Sequence, residues 1–158
     1  MKMKKGQWMV VLALLLASCN KDDNGGINIQ VKPIEHQIYL NIKNYREANG
    51  KTGPFVEQYL IVGEAQKYSY RMASGQVAYG TDGLDEHWAT LEEKYTFYNR
   101  AGLVLKTLTQ NEAEILSGIL QIQGADTVLL GDITQCGVGV VTDTAANLYV
   151  TVMLAKAD

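Results

Sequence analysis

The sequence predicts an α+β fold, an α-β-α sandwich in which helices cover a small antiparallel sheet that ends in a C-terminal hairpin. Two runs rich in β-branched and aromatic residues, 135–142 and 148–156, flank the polar break Asp143–Asn147, which is typical of a β-hairpin. Both runs are nearly continuously apolar, so we expect both faces of the hairpin to be covered. Gly137 and Gly139 lack side chains, which allows a bulky element to pack close to the first strand.

Two long helices are predicted at the start of the domain. The first begins at Pro33, which the first helical turn tolerates, and continues to about Ala48, where Asn49-Gly50 ends it. The second extends from Phe55 to about Ala73, with apolar residues at helical spacing. These helices are the predicted cover of the hairpin.

The next segment, residues 76–99, is predicted to be irregular, with a short helix over 85–94 that Asp85 caps. Its aromatic residues are Tyr79, Trp88, Tyr95, Phe97 and Tyr98. We interpret them as core residues that pack beneath a long loop. The alternative is an exposed aromatic surface that binds carbohydrate or lipid. Residues 102–108 are predicted to be extended.

A further helix is predicted just before the hairpin. Thr109 and Glu112 form a capping box, and the helical spacing of apolar residues continues to Ile122. The chain thus alternates helices with a long irregular middle before its terminal hairpin, which is the order of an α+β domain.

Residues 1–18 are predicted to be a lipoprotein signal peptide. Three lysines precede the apolar stretch Trp8–Leu16, which is too short to span a bilayer. The sequence Leu16-Ala17-Ser18-Cys19 resembles a bacterial lipobox, so we expect cleavage before Cys19 and a diacylglycerol on its thiol. An ordinary secretory signal is the alternative.

Residues 19–26 are predicted to be an acidic, flexible tether before a single domain at 27–158. The cluster Lys21-Asp22-Asp23 resembles a surface-export signal of one Gram-negative lineage. We therefore expect an outer membrane lipoprotein that the acyl chains anchor and that is exposed at the cell surface. Retention facing the periplasm is the alternative.

The charge of the mature chain excludes whole classes of partner. Cleavage removes three of the 14 basic residues, which leaves 11 against 17 acidic residues and a net charge of −6. This balance argues against nucleic acid and against electrostatic binding to anionic lipid.

The cysteines and histidines predict no ordinary reactive or metal site. With Cys19 lipidated, Cys136 is the other cysteine, and we expect it to be a buried small apolar residue. We expect His36 at the surface of the first helix and His87 facing solvent on the short helix. Two separated histidines without a cysteine cluster give no zinc pattern, so we expect no metal and no cofactor.

Several segments together resemble one known family. They are Arg46–Gly50 with Pro54–Phe55, the set Ala65, Ser69, Met72 and Ala73, then Gly80–Leu84, Asn99–Leu103 and Cys136–Val140. In this order they resemble the CAP superfamily (cysteine-rich secretory proteins, antigen 5 and pathogenesis-related 1), above all its short, disulfide-free bacterial members. The resemblance implies a CAP-like α-β-α sandwich over nearly the whole mature chain.

The resemblance also implies that the family's cavity chemistry is lost. Members commonly place two histidines and two glutamates around a central cavity, where they can bind a divalent metal. Three of these positions correspond here to Thr81, Leu103 and Ala125. The fourth has no assigned counterpart; Glu112 and Glu114 are nearby carboxylates, and a lone carboxylate does not make a site. Leucine and alanine have neither a lone pair for a metal nor a proton to transfer.

We therefore predict a non-catalytic binding or interaction module whose ligand is unknown. By analogy with sterol-binding and lipid-binding members, an apolar small molecule is admissible. One alternative is a hydrolase of envelope polymers or peptides, with a relocated site formed by His87, Glu86 and Glu112 or Glu114. A structural subunit of a surface assembly is a further alternative.

Overall fold

The computed structural model describes residues 29–157, which form a four-stranded mixed sheet between two layers of helices. The strands are β1 (Val56–Glu57), β2 (Phe97–Thr107), β3 (Gln135–Thr142) and β4 (Leu148–Ala157). The helices are α1 (Pro33–Ala48), α2 (Tyr59–Ala73), α3 (Leu84–Glu92), α4 (Glu112–Leu120) and α5 (Ala125–Leu129). The sheet order is β1-β3-β4-β2, with β1–β3 parallel and the other pairs antiparallel. Helices α1, α4 and α5 cover one face and α2 and α3 the other, which confirms the predicted α-β-α sandwich.

The predicted signal peptide, the lipidated Cys19 and the acidic tether lie outside the described residues. The predicted surface-export cluster at 21–23 lies outside them as well. Between residues 29 and 157, none of the helices has the length and apolar character that crossing a bilayer requires.

The C-terminal hairpin lies at the centre of the sheet, as predicted. Strands β3 and β4 pair in continuous register. Their turn is closed by Asp143, whose carboxylate accepts hydrogen bonds of 2.9 Å from the backbone N–H groups of Ala145 and Asn147. Residues 148–155 of β4 are buried without interruption, so helices cover this strand on both faces.

Helix α2 packs directly on β3 because two glycines leave room for its backbone. A Cβ added at Gly139 would lie well under 3.0 Å from the backbone of Ala65, and Gly137 meets the backbone of Ile61 in the same way. Ser69 donates a hydrogen bond of 2.9 Å to the carbonyl oxygen of Gly139, which satisfies its buried hydroxyl. The prediction of close packing at both glycines is confirmed.

The first turn of α1 covers the edge of β3 beyond the short strand β1. Glu35 is fully buried, and it accepts hydrogen bonds from the backbone N–H groups of Val140 at 2.9 Å and Lys32 at 2.8 Å. It accepts a third from the Gln66 side chain at 2.7 Å. Lys32 Nζ donates to the carbonyl oxygen of Val140. Side chains of α1 thus satisfy a strand edge that would otherwise be open to pairing with another chain.

The last turn of α1 is held by Arg46, which is 5% exposed. Its guanidinium donates hydrogen bonds to the carbonyl oxygens of Leu129, Gly131 and Ile133. It also lies 4.5 Å from the ring centroid of Phe55. Burial lowers the pKa of Arg46, but a guanidinium keeps its charge in proteins. Arg46 therefore orders the loop between α5 and β3.

Several helix boundaries differ from the predicted ones, and α3 ends at Glu92 rather than Lys94. Helix α2 begins at Tyr59 rather than Phe55, because residues before it pair with β3 and the Gln58 side chain caps the helix. Helix α4 ends at Leu120 rather than Ile122. No sequence pattern indicated the short helix α5.

Two predicted helix caps are wrong. Helix α3 begins at Leu84 and its N-cap residue makes no side-chain hydrogen bond, so Asp85 lies inside the first turn. Helix α4 is capped by Asn111 rather than Thr109, since the Asn111 side chain accepts hydrogen bonds from the N–H groups of the first turn. Asparagine is at least as good an N-cap as threonine.

The aromatic segment before β2 is less irregular than predicted, because β2 begins at Phe97 rather than near Gly102. Trp88 is buried and packs edge-on against Phe97, with ring centroids 5.5 Å apart. Tyr79 and Tyr98 are 52% and 63% exposed. The interpretation as core residues therefore holds for Trp88 and is wrong for Tyr79 and Tyr98.

Candidate functional site

The positions at which the resemblance implies a lost metal site do not converge. Leu103 and Ala125 are buried in the apolar core between the sheet and helices α1, α4 and α5. Thr81 is exposed in the turn that leads into α3. Apolar side chains therefore fill the interior around Leu103 and Ala125, and these two residues offer neither a metal ligand nor a proton.

The carboxylates considered for a relocated catalytic site are also separated from His87. Glu112 and Glu114 belong to α4, which lies across the sheet from α3 and His87. Glu86 accepts a hydrogen bond of 2.7 Å from Arg71. The structure brings none of the three into a hydrogen bond with the histidine.

His87 instead pairs with Glu64, a residue that no sequence pattern singled out. Its Nδ1 lies 2.7 Å from Glu64 Oε2, and its ring packs edge-on against Tyr68 at 5.3 Å between centroids. His87 is 6% exposed, so the expectation that it faces solvent is wrong. The buried residues of α3 are Leu84, His87, Trp88 and Leu91. They recur at helical spacing, which is the signal that could have found the histidine.

Glu64 is a buried carboxylate with two partners. Besides His87, Lys67 contacts this carboxylate, with its Nζ 2.5 Å from Glu64 Oε1. The Glu64 side chain is 8% exposed. Burial alone raises the pKa of Glu64, but the hydrogen bonds from His87 and Lys67 outweigh burial and hold that pKa below its ordinary value. Glu64 lies between Ile61 and Ala65 on the buried face of α2, where helical spacing alone would place it.

We expect acid to weaken the fold through Glu64. Because folding lowers the pKa of Glu64 below its ordinary value of 4.5, its stabilisation is present above that pH and is lost as the pH falls through the folded pKa. Glu64→Gln should flatten the dependence of the unfolding free energy on pH between about pH 5 and pH 3. Denaturant titrations across this range would measure the slope, with exposed Glu93→Gln as control. An unchanged slope in Glu64→Gln would contradict the expectation.

A groove of about 500 Å³ lies on the outer surface of α2 beside this pair. Its lining residues are Gln66, Lys67, Tyr70, Arg71, His87 and Val141. Arg71 Nη1, which donates to Glu86, also lies 3.4 Å from His87 Nε2. The hydrogen bond from Arg71 lowers the pKa of Glu86. The surface that these side chains present to the groove is almost entirely apolar, and the volume of the groove suits a small molecule.

In the described part of the chain, the other histidine and the cysteine lie apart from the Glu64–His87 pair. Among residues 29–157, no three His, Cys, Asp or Glu side chains are grouped as metal ligands. His36 is half-exposed, with Nδ1 2.7 Å from Glu57 Oε2, which confirms its predicted surface position. Cys136 is fully buried, and burial raises the pKa of its thiol, with a further contribution from nearby Glu57. The prediction that Cys136 is a buried apolar residue is confirmed.

We expect the Cys136 thiol to resist thiol reagents in the folded protein. Reaction needs both the thiolate and access, and the raised pKa and complete burial remove both. In the mature chain carrying Cys19→Ser, an aromatic disulfide reagent should react at least about 1,000-fold more slowly than after unfolding in guanidinium. Similar rates in both states would contradict the buried position.

Comparisons with solved structures place this fold beside those of extracellular proteins. The chain is similar to an outer surface protein from Borrelia burgdorferi, with a TM-score of 0.64 and 14% identity, over 82% of this chain and 97% of that one. An extracellular protein with an SCP domain from Bacillus anthracis gives a TM-score of 0.63 and 16% identity, over 80% of this chain and 44% of that one. Venom allergen-like protein 4 from Schistosoma mansoni gives a TM-score of 0.55 and 13% identity, over 81% of this chain and 91% of that one.

In sequence, no family model and no curated protein matches the chain. The structural likenesses, at 13% to 16% identity, show a shared fold and transfer no residue's role. SCP is another name for the CAP domain. The chain therefore has the α-β-α fold of CAP (SCP) domains, as the order of its sequence motifs indicated.

Proposed function

We propose that this protein is a lipid-anchored bacterial surface protein whose CAP-like domain acts as a non-catalytic binding module. Its fold is also that of an outer surface protein and of an extracellular protein, which supports a location at the cell surface. Cys19 in its lipobox-like context would supply the anchor. In this proposal the domain projects outward from the outer membrane.

The binding proposal is based on where the structure has an accessible groove and where its interior is filled. The interior around Leu103 and Ala125 is filled with apolar side chains, so substrate has no room beside the positions where family members keep polar groups. The groove on α2 is accessible and has one buried histidine at its edge. An accessible, mostly apolar pocket with a few polar groups is the usual form of a small-molecule binding site.

The anchor is tested by membrane fractionation of cells that express the full chain. Wild-type protein should sediment with the outer membrane and be cleaved when intact cells are treated with protease. Cys19→Ser should leave the membrane fraction, because the thiol that carries the lipid is gone. Cys136→Ser is the matched control and should stay with the membrane. Wild type and Cys19→Ser in the same fraction would refute the lipid anchor, and protection of wild type from protease would refute surface exposure.

The binding role is tested with a neutral apolar dye, N-phenyl-1-naphthylamine. The mature chain carrying Cys19→Ser should enhance its fluorescence, and Tyr70→Ala should reduce that enhancement, since Tyr70 lines the groove. Tyr59→Ala is the matched control, because Tyr59 is a similarly exposed tyrosine of α2 outside the groove lining. No enhancement, or an equal loss in both variants, would count against the groove.

A hydrolase remains the second candidate because of the Glu64–His87 pair. Glu64 holds His87 Nδ1 at 2.7 Å, and Nε2, which lies 3.4 Å from the Arg71 guanidinium, would be the basic nitrogen. A carboxylate-oriented imidazole is a common general base. If the full chain hydrolyses peptidoglycan fragments or peptides, His87→Ala should lower that rate about 100-fold or more. Absence of hydrolysis by the wild type would end this candidate.

A further inference from the structure

We propose that a second pocket, at the C-terminal end of α1, binds the phosphate group of a small soluble phosphomonoester. This pocket has a volume of about 340 Å³ and lies between the loop after α1 and the loop before β3. Its lining includes Arg46, Lys51, Pro54, Asp132 and Thr134. It shares no lining residue with the groove on α2, so the inference goes beyond the proposed binding function and does not depend on it.

The guanidinium of Arg46 is a buried positive charge without a carboxylate in contact. Its hydrogen bonds go to the carbonyl oxygens of Leu129, Gly131 and Ile133, which are dipoles without net charge. Between residues 29 and 157, no ion pair includes Arg46. Burial lowers its pKa, and the nearby charge of Asp132 offsets burial only in part. Because a buried charge is costly unless it is paired, an anion in the pocket would be stabilised by Arg46.

Arg46 also has hydrogen-bond donors that the fold does not use. A guanidinium has five N–H groups, and the bonds to carbonyl oxygens use at most three of them. Arg46 Nε is buried and has no hydrogen-bond partner among residues 29–157. A phosphate beside the guanidinium would supply charged acceptors, and hydrogen bonds between arginine and phosphate are among the strong ones in proteins.

The balance of charge at the pocket favours a dianion. Lys51 is an exposed second cation of the lining, and it forms no ion pair in the described part of the chain. Asp132 is the carboxylate of the lining, but Lys156 Nζ already lies 2.6 Å from its Oδ2. Arg46 and Lys51 thus leave two positive charges without a contacting carboxylate. A phosphomonoester carries about 1.5 to 2 negative charges near pH 7, whereas a simple carboxylate carries one.

The rest of the pocket suits a small organic phosphate. Thr134 contributes a hydroxyl group, which can donate to a phosphate oxygen. Pro54 contributes apolar surface for the carbon atoms of the ligand. A volume of about 340 Å³ holds a small molecule rather than a polymer, and the negative net charge of the mature chain opposes a nucleic acid.

Calorimetric titration with glycerol 3-phosphate tests the site. The mature chain carrying Cys19→Ser should bind this probe saturably, and glycerol, which lacks the phosphate, should not bind. Lys51→Gln should weaken binding at least about tenfold, as the loss of a charge-assisted hydrogen bond predicts. Lys43→Gln is the matched control and should keep the wild-type affinity, because Lys43 pairs with Glu47 on α1 and does not line the pocket.

A second variant separates recognition from a structural role. Asp132→Asn removes the carboxylate that lines the pocket, so it should tighten binding of glycerol 3-phosphate by about threefold or more. A change that only damaged the fold would weaken binding instead.

Two results would overturn the assignment. Equal affinities of wild type and Lys51→Gln would show that the cations of the pocket do not hold the phosphate. Absence of binding to glycerol 3-phosphate, with co-sedimentation on phosphatidate vesicles or without it, would refute a soluble phosphomonoester. Neither result would affect the binding of the neutral dye at the groove on α2, so the two proposals fail separately.

Discussion

Gly139→Ala should destabilise the fold by about 3 kcal/mol or more, at the upper end of the range for overpacked cores. The added Cβ would overlap the backbone of Ala65 and Gln66 rather than the movable end of a side chain. Helix α2 would have to move away from β3, and the hydrogen bond from Ser69 to the carbonyl oxygen of Gly139 would be lost. Thermal unfolding should show a drop in the melting temperature of about 10 °C.

The control for this variant is a glycine without neighbours. Gly53→Ala adds a Cβ that meets nothing within 4 Å at a position without a left-handed backbone, so it should change stability by less than about 0.5 kcal/mol. Equal melting temperatures for Gly139→Ala and Gly53→Ala would show that α2 does not pack on β3 at this distance.

Glu35→Ala should destabilise the fold by about 3–5 kcal/mol, because it leaves more than one buried donor without an acceptor and each such loss costs about 1–3 kcal/mol. The change would leave the backbone N–H of Val140 and the Gln66 side chain without their acceptor. It would also leave Lys32 without its carboxylate partner, 3.4 Å away. Each unsatisfied buried donor adds its own desolvation penalty. Urea unfolding of the full mature chain would measure the loss.

Two further variants define the cause of that loss. Glu35→Gln keeps the shape and one acceptor oxygen, so it should lose about 1–3 kcal/mol. Glu47→Gln, whose exposed side chain lies 3.9 Å from Lys43 on the same helix, should lose less than about 1 kcal/mol. If Glu35→Ala lost no more unfolding free energy than Glu47→Gln, the Glu35 carboxylate would not be what holds α1 to the edge of β3.

The features that the sequence predicted correctly depend on neighbours along the chain. The hairpin follows from two β-rich runs around Asp143–Asn147, and α1 follows from Pro33 and the Asn49-Gly50 stop. Gly137 and Gly139 indicated close packing, although the partner became known only from the structure. Where two local signals compete, as Thr109 and Asn111 do at α4, the capping-box pattern chose the wrong cap.

The candidate site was less predictable because its parts come from separate elements. The helical spacing of α2 and α3 places Glu64 and His87 on buried faces, but glutamate and histidine are more often found at the surface. That the two meet at 2.7 Å depends on how α3 packs against α2. Glu86 adjoins His87 in sequence but points to Arg71, since neighbouring side chains on a helix point in different directions.

The sequence by itself determined the order of the longer elements, the burial of Cys136 and the resemblance to CAP domains, because periodicity and short motifs are local properties. The tertiary structure decided which polar groups meet: Glu35 with the edge of β3, Arg46 with the loop after α5, and Glu64 with His87 beside the groove. Such contacts join residues far apart in the chain. Their geometry is fixed by the packing of helices on the sheet, which no local pattern encodes.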